Sequence, residues 1–578
     1  MNCIKNFIEN YRQDIIALCI VITVLAGICI IKWGWFGSLF IDCGREAYLP
    51  ELILDGKILF KDIFAMYAPL PYQINACVYK IFGGSFNVLQ GIGVSIVFLA
   101  VLCLYRICRF FINSFYSAAI CIILISQFFT INKHCMNYIF PYAYAMTYAV
   151  LFFLASAMFT MYFIDKNKPL YSYLASLTLG ASLACKPEFT LCYLAFLTAL
   201  VYKRINFKTI LFNILFYMLP SILSWGILFL QGLSITDFQN YMSFLNKFFA
   251  TEEQQFFQNI CFQNPLKFYV IAKYLEAFSF IFLYSALHIF LLTMYDRYNN
   301  KLTRQIQKKI LFLFLGLILC AINFQFGVIV WEHFQLKLFS WICFALFPLS
   351  AYLIYKLKKQ FNNTTFMLLI LSLFGILACY RLKFNLLAAY SLYIVSLPAA
   401  VIFIYFISTV KNNIVKKSVI IFLILASFFN TLHLYKLYRR GKVPITTSKG
   451  MLYASKYETN TLQTALNYIY KNTKEDNTVL MLPEGCIVNF ITGRPTNTKL
   501  YHLIPNHIAA IGESNILQEL KTNPPDFIML NNVNYGMYGK PFICKDFGLD
   551  ICKFIYENYQ LAESTQNLKI YKREMLKN

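Results

Sequence analysis

The chain has 578 residues, of which 59% are hydrophobic, 18% aromatic and only 13% charged. One soluble core cannot bury that much apolar side chain, so the composition excludes a soluble globular protein and indicates a protein of the lipid bilayer. The formal net charge of +24 is accounted for by basic loops at membrane-crossing helices, which makes a nucleic-acid partner unexpected.

About thirteen apolar runs are candidates for membrane-crossing helices, each of which needs roughly 20 apolar residues or somewhat fewer. The runs lie near residues 15–33, 86–105, 116–131, 141–163, 170–185, 189–202, 210–230, 274–294, 310–330, 335–354, 364–379, 386–408 and 418–435. Lys5 and Arg12 precede the first run, and no small-residue cleavage site follows it. We therefore expect a retained helix with a cytoplasmic amino end, and the loops then expected inside are the ones rich in Lys and Arg.

The apolar stretch at 170–202 is interrupted by Lys186, Pro187 and Glu188. It is too long for one span and gives two short ones, so we predict a helical hairpin. A single span here would reverse the orientation of every later loop. With the hairpin, the residues after about 435 lie on the outer side of the membrane.

The composition becomes that of a soluble domain over residues 436–578. Helices are predicted in "TLQTALNYIYKNT", in "ESNILQELKTN" and at about 546–558, and strands in "TVLML", "DFIML" and "LKIYKR". This alternation predicts a small extracytoplasmic α/β domain after a transmembrane domain at 1–435. Because it contains no glycine-rich phosphate loop, we assign it no nucleotide and expect a cap or an acceptor-guiding module without chemistry.

The spacing of the cysteines and histidines indicates neither a disulfide-bridged domain nor a metal site. Most of the 18 cysteines lie in predicted helices, where a thiol behaves as a small hydrophobic group. The outer domain has only Cys486, Cys544 and Cys552, an odd number without paired spacing, so we expect no disulfide framework. The histidines are scattered without metal-ligand spacing, and we assign no metal ligands.

The first outer loop, residues 34–85, concentrates charge beside the membrane. Asp42 lies a few residues beyond the first span, and the next segment carries Tyr48, Leu49, Leu52 and Ile53 on one helical face. We predict an interfacial helix that lays this face against lipid, and a second one that follows "YAPLPY" at 67–72 and ends at Gly83 and Gly84. Charge is thereby held at the level of lipid headgroups. The long outer loop at 231–273 is a candidate to cover such a site.

The loop resembles one family, the GT-C glycosyltransferases that use polyprenyl-phosphate sugars, which include aminoarabinose transferases and protein O-mannosyltransferases. The matching elements, in order, are Asp42, Arg45, Glu46, Gly56, Asp62 and "YAPLPY"; "GASLACKPEF" at 180–189 resembles a lysine-containing turn of the same family. The resemblance implies an α-helical polytopic membrane protein of the GT-C type, with about thirteen transmembrane helices, interfacial helices in the first outer loop and a small C-terminal α/β domain. It also implies an inverting hexosyl- or pentosyltransferase at the outer face of the cytoplasmic (inner) membrane.

Sugar transfer from a lipid phosphate needs a base for the acceptor hydroxyl and cations for the departing phosphate. We assign Asp42 as the base, and Arg45, Lys186 and Arg381 as phosphate contacts. Glu188 would orient Lys186, and the substrate-positioning residues would be Glu46, Asp62, Tyr67 and Glu188.

Each assignment has a simpler alternative. Asp42 could cap the interfacial helix, and Arg45 could pair with a neighbouring carboxylate. Lys186 and Arg381 could be anchors whose charged ends reach the membrane surface.

The expected partners are a polyprenyl-phosphate-linked sugar, membrane lipid, and a lipid, glycan or protein acceptor. A divalent cation, Mg or Mn, is used by some proteins of this fold, but no carboxylate cluster in the sequence demands one. The alternative functions are a lipid-linked glycan transporter or flippase, and a polysaccharide polymerase or ligase. A transporter would more typically show internal repeats and charge near the bilayer midplane.

Overall fold

The computed structural model describes residues 2–35, 38–126, 137–261, 339–380, 393–439 and 441–574. The predicted spans at 274–294 and 310–330 lie outside the described residues, as does Arg381.

Helices dominate the described part of the chain up to residue 439. They are α1 Asn2–Lys32, α2 Gly44–Leu54, α3 Leu70–Phe82, α4 Phe86–Arg109, α5 Ser114–Leu124, α6 Tyr144–Lys166, α7 Pro169–Cys185, α8 Cys192–Tyr202, α9 Phe207–Gln231, α10 Ile235–Ala250, α11 Glu252–Cys261, α12 Phe339–Lys359, α13 Asn363–Tyr380, α14 Ser396–Thr409 and α15 Asn413–Arg439.

Five described segments are long and apolar enough to cross a membrane: Tyr11–Lys32 within α1, and α4, α6, α9 and α13. Three shorter helices, α5, α8 and α14, are also apolar. The chain is therefore a multi-pass membrane protein, while the count of thirteen spans stays a prediction.

Close backbone contacts hold the helical core together. A Cβ atom at Gly180 of α7 would lie 2.0 Å from the carbonyl oxygen of Tyr217 in α9, so only glycine permits this approach. Between the same two helices, Ser176 donates a hydrogen bond of 2.8 Å to Asn213. Ser156 of α6 donates another of 2.9 Å to the carbonyl of Ala175. Small residues and interhelical hydrogen bonds are typical of helix packing in lipid.

The hairpin predicted at 170–202 is present. Helix α7 ends at Cys185, a 3₁₀ turn occupies Pro187–Phe189, and α8 begins at Cys192. Pro187 has no amide hydrogen with which to continue the hydrogen bonding of α7. The chain therefore turns there, and Lys186 lies at the break.

Helix α2 differs from its prediction. Tyr48, Leu49 and Leu52 are buried inside the protein, so the face expected to contact lipid packs against other parts of the chain. The pattern indicated an apolar face correctly, but periodicity does not show whether lipid or protein covers that face. The next helix, α3, ends at Phe82 with Gly83 in a positive-φ cap, close to the predicted end.

A small C-terminal sheet domain follows. Strands β1 Lys442–Thr447 and β2 Gly450–Ser455 form an antiparallel hairpin. A four-stranded sheet has the order β3 Val479–Leu482, β4 Phe527–Asn531, β6 Leu568–Arg573, β5 Tyr559–Ser564, in which β3 and β4 are parallel and the other pairs antiparallel. Its helices are α16 Lys456–Asn472, α17 Ile487–Thr492, α18 Pro505–Ile511, α19 Glu513–Thr522 and α20 Leu549–Asn558. All six predicted elements are present; the hairpin, α17, α18 and β5 were not predicted.

The sheet domain docks on the first outer loop through polar contacts. Glu458 accepts hydrogen bonds from the Ser38 hydroxyl at 2.6 Å and from the Leu39 amide at 2.8 Å. The Lys449 ammonium lies 2.6 Å from the Glu51 carboxylate. These contacts fix the loop that carries Asp42 relative to the domain.

One expectation about cysteines was wrong, because Cys544 and Cys552 form a disulfide with a Cα–Cα distance of 5.4 Å. The turn at Ile543–Phe547 folds back on itself just before α20 and brings the two residues together. Their spacing of eight residues carries no such signal in the sequence.

Candidate active site

A cavity of about 360 Å³ lies between the first outer loop, the α7–α8 turn, helices α10 and α11, and the sheet domain. The predicted site residues that line it are Asp42, Arg45, Tyr67, Lys186 and Glu188. Phe248, Phe249 and Phe257, from the segment predicted to cover the site, also line it. Residues predicted from three separate parts of the sequence therefore meet at one place.

Asp42 lies in a kinked turn, Leu39–Cys43, and has the non-helical angles φ +65° and ψ −44°. Positive φ is uncommon outside glycine, although Asp is among the residues that tolerate it best. The Asp42 amide donates to Glu484 Oε2 at 3.2 Å, which helps to hold this conformation. The N-cap of α2 is Cys43 and has no side-chain cap. Asp42 therefore does not cap that helix, and its carboxylate lines the cavity instead.

Arg45 is 3% exposed and is fixed from several sides. Its Nη2 lies 3.0 Å from Asp42 Oδ1 and donates to the Tyr142 carbonyl at 3.2 Å. Its Nε donates to Glu46 Oε1 at 3.3 Å, and Glu46 Oε2 accepts from the Tyr144 amide at 2.9 Å. Glu46 is not among the residues that line the cavity, so the geometry makes it a support for Arg45 and does not place it against a substrate.

Lys186 extends from the break between α7 and α8. Its Nζ donates to the Tyr142 hydroxyl at 2.7 Å and lies 3.5 Å from Glu188 Oε1. The same ammonium lies 5.0 Å from the ring centroid of Tyr67, within the range of a cation–π contact. Glu188 and two tyrosines thus hold a partly buried cation at the cavity wall.

Asp62 lies apart from this cluster. Its carboxylate accepts a hydrogen bond of 2.9 Å from the Ile58 amide in an exposed turn, and it does not line the cavity. The prediction that Asp62 positions a substrate has no support in this geometry.

Three polar residues of the sheet domain, Glu484, His502 and His507, lie beside Asp42 and were missed by the sequence analysis; the two histidines line the cavity. Glu484 Oε2 lies 2.6 Å from His502 Nε2, and Glu484 Oε1 accepts from the Tyr535 hydroxyl at 2.9 Å. The Nδ1 atoms of His502 and His507 are 2.9 Å apart. The domain expected to have no chemistry therefore places a carboxylate and two imidazoles beside Asp42.

A signal for Glu484 was present in the strand pattern. Glu484 follows the buried strand β3 by two residues, and Tyr535 follows β4 by four. The carboxyl ends of parallel strands meet at one edge of a sheet, where ligands typically bind. His502 and His507, five residues apart in a loop and a short helix, have no such signal.

Burial sets the charge states of these groups. It raises the pKa of Asp42, an effect that the Arg45 guanidinium opposes. It raises the pKa of Glu484 to about 7 and lowers the pKa of His502 to about 3. At neutral pH His502 is therefore an uncharged imidazole, and its approach to Glu484 is not an ion pair.

The residues present fit a metal ion. Asp42, Glu484 and His502 each offer one ligand atom, and these atoms lie within 4.8 Å of one another. Two carboxylates and an uncharged imidazole are suitable donors for a divalent transition metal. No metal ligands were assigned from the sequence. Asp42 is more than 400 positions from Glu484 and His502, and the three residues lie in unrelated patterns.

Comparison with known proteins gives a fold and no sequence relative. No protein-family model matches the chain, and no curated protein matches it significantly. Among solved structures, it is similar to ArnT from Cupriavidus metallidurans bound to undecaprenyl phosphate, with a TM-score of 0.50 and 10% identity over 96% of this chain and 97% of that one.

A weaker likeness is to the oligosaccharyltransferase AglB from Archaeoglobus fulgidus in complex with an inhibitory peptide and a dolichol-phosphate. The TM-score is 0.44 and the identity 13%, over 96% of this chain and 74% of that one. The likeness to ArnT shows a fold shared with that protein, and it agrees with the fold that the sequence resemblance implied. The particular likeness to ArnT extends over nearly the full length of both chains.

Proposed function

We propose that this chain is an integral membrane glycosyltransferase that moves a hexosyl or pentosyl group from a polyprenyl-phosphate donor to a hydroxyl of a lipid, glycan or protein. The observation that carries the proposal is the convergence of Asp42, Arg45 and Lys186 on one cavity. The fold supports it, since ArnT and AglB were solved with polyprenyl phosphates.

The two cations are suited to a departing phosphate. Arg45 uses Nε and Nη2 for its internal contacts, while Nη1 makes no hydrogen bond to any described residue. Arginine and lysine stabilise phosphate oxygens through charge-assisted hydrogen bonds. Lys186 retains a donor beyond those directed at Tyr142 and Glu188. The phosphate would therefore lie between Arg45 and Lys186, beside Tyr67.

Asp42 is suited to be the base. Its Oδ1 pairs with Arg45, while Oδ2 has no partner among the described residues. The acceptor oxygen would attack the anomeric carbon as the bond from that carbon to the phosphate oxygen breaks. The acceptor proton would pass to the Asp42 carboxylate, and the bonding electrons would leave with the phosphate. Displacement in one step inverts the anomeric carbon, and general base catalysis of this kind contributes typically about 10² to 10⁴-fold.

We infer further that the protein resides in the cytoplasmic (inner) membrane of a cell envelope, with the sheet domain, residues 436–578, outside and the transmembrane domain at 1–435. Basic residues in the loops expected inside support this orientation. A divalent cation is part of the proposal, and of Mg and Mn the imidazole of His502 favours Mn.

The test is release of free polyprenyl phosphate by the purified full-length protein in lipid. A panel of polyprenyl-phosphate sugars is offered with a crude envelope fraction as acceptor. We expect release from one donor, and a loss of roughly 10² to 10³-fold in Lys186→Gln. Lys203→Gln is the matched control, because Lys203 lies against the Tyr202 ring outside the cavity. Equal release from both folded variants would refute the phosphate site.

A further inference from the structure

We propose that Asp42, Glu484 and His502 bind one divalent transition-metal cation, at a site that is complete only when the sheet domain docks on the first outer loop. One ligand comes from the turn after α1, and two come from the segments after β3 and before α18. The proposal deepens the proposed function, because it assigns the ion of that same cavity, but the binding itself does not depend on any transfer reaction.

The contact between the His502 imidazole and the Glu484 carboxylate is unusual. His502 Nε2 lies 2.6 Å from Glu484 Oε2, yet it makes no hydrogen bond in the described structure, and the side chain is 5% exposed. A buried nitrogen without a hydrogen bond costs free energy. A cation bound beside both groups would give the buried nitrogen the partner that it lacks.

Neighbouring side chains orient His502 and Glu484, two of the three candidate ligands. A ligating imidazole almost always uses its other nitrogen to make a hydrogen bond that orients the ring. Here Nδ1 of His502 lies 2.9 Å from Nδ1 of His507. The Tyr535 hydroxyl, 2.9 Å from Glu484 Oε1, fixes the carboxylate in the same way. His507 is itself packed against the rings of Phe64, Phe244 and Phe248, so the support is rigid.

Carboxyl groups outnumber the cations around Arg45. Asp42 and Glu46 pair with its guanidinium, and Glu484 lies beside them through its hydrogen bond with the Asp42 amide. Lys186 does not offset them, because it is paired with Glu188. A cation with two positive charges would offset the carboxylate charge that the single guanidinium leaves.

The donor set selects the class of metal. Mg²⁺ and Ca²⁺ prefer oxygen ligands alone, whereas an imidazole with two carboxylates suits Mn²⁺ or Zn²⁺. A bound ion would supply Lewis acidity to an acceptor hydroxyl or a phosphate oxygen in the cavity.

The test uses the full-length protein in lipid nanodiscs, stripped with EDTA and titrated with Mn²⁺. Binding is followed by loss of the electron paramagnetic resonance signal of free Mn²⁺, and separately by a shift in melting temperature. We expect one ion per chain for the wild type, and binding weaker by roughly 10-fold or more in Glu484→Gln and His502→Asn. Glu557→Gln, which makes the same substitution at an exposed position of α20 away from the cavity, should bind as the wild type does.

Absence of binding to the wild type would overturn the proposal, as would unchanged binding in folded Glu484→Gln and His502→Asn. Asp42→Asn serves as a third ligand variant if either of these fails to fold. A wild type that binds Mn²⁺ but transfers no sugar would refute the proposed function alone. A wild type that transfers sugar but binds no Mn²⁺ would refute the cation site alone.

Discussion

Arg45 is the residue on which the candidate site is built. It is buried, lies 3.0 Å from Asp42 and 3.3 Å from Glu46, and contacts the backbone of Tyr142. A guanidinium in such a place must keep its charged partners, because an uncompensated buried charge is costly. Glu46 therefore has a structural role that its position in the sequence does not reveal.

The substitution Glu46→Gln tests this role. The amide keeps the shape of the side chain but removes the negative charge that faces Arg45, so we expect a loss of roughly 1–3 kcal/mol in stability. The measurement is the unfolding midpoint of the purified protein in detergent. Glu557→Gln, at an exposed position of α20, should change stability by no more than about 0.5 kcal/mol. A Glu46→Gln midpoint equal to that of the wild type would contradict the support role.

For Asp62 we expect substitution to have little effect on the transfer reaction. Because it is exposed and does not line the cavity, Asp62→Asn should leave the rate of polyprenyl-phosphate release within about 2-fold of the wild type, as expected for a surface substitution. The measurement is the rate of polyprenyl-phosphate release by Asp62→Asn and by the wild type. A loss comparable to that of Lys186→Gln would show that the sequence resemblance identified this residue better than the geometry does.

At the scale of elements, the sequence predicted helices and strands well where periodicity and breakers were strong. The α7–α8 break follows from Lys186, Pro187 and Glu188, and the strand "TVLML" follows from a short apolar run before a turn. Helix α2 shows the limit of this reasoning. Its apolar face was recognised, but whether lipid or protein covers that face depends on tertiary packing, which the sequence of the helix does not contain.

The contact between α2 and α17 provides a test at this scale. A Cβ atom at Gly44, the first residue of α2, would lie 2.5 Å from the backbone nitrogen of Ile487 at the start of α17. Backbone cannot move aside as a flexible side chain can, so Gly44→Ala should cost about 1–3 kcal/mol and lower the melting temperature.

Gly91→Ala is the matched control. Gly91 lies within α4 and has nothing within 4 Å of a built Cβ atom. Alanine is favoured over glycine inside a helix by about 1 kcal/mol, so this variant should be as stable as the wild type or more so. If Gly44→Ala proved as stable as Gly91→Ala, α2 and α17 would not pack as described.

At the scale of the whole molecule, the candidate site is divided between the membrane part and the sheet domain. Asp42, Arg45 and Lys186 could be predicted, because each belongs to a local pattern at a membrane surface. Glu484 and His502 could not, since their proximity to Asp42 arises from docking across more than 400 positions of sequence. The hydrogen bonds of Glu458 and the pair of Lys449 with Glu51 maintain that docking.

Exchanging the charges of Lys449 and Glu51 tests the docking of the sheet domain on the first outer loop. Lys449→Glu places two carboxylates where the structure has an ion pair of 2.6 Å, so it should lower the melting temperature and weaken Mn²⁺ binding. Glu51→Lys combined with Lys449→Glu should recover much of both losses, with a coupling free energy of about 0.5–3 kcal/mol. A double variant no better than Lys449→Glu alone would mean that this contact does not hold the domain in place.

In the proposed reaction Asp42 takes the acceptor proton in a cavity that holds a lipid phosphate. The most direct measurement is release of polyprenyl phosphate from the active donor by wild type, Asp42→Asn and Asp55→Asn in lipid. Asp55, the exposed residue that ends α2, provides the same substitution away from the cavity. We expect a loss of roughly 10² to 10⁴-fold for Asp42→Asn and an unchanged rate for Asp55→Asn. Equal release by wild type and a folded Asp42→Asn would contradict this role of Asp42.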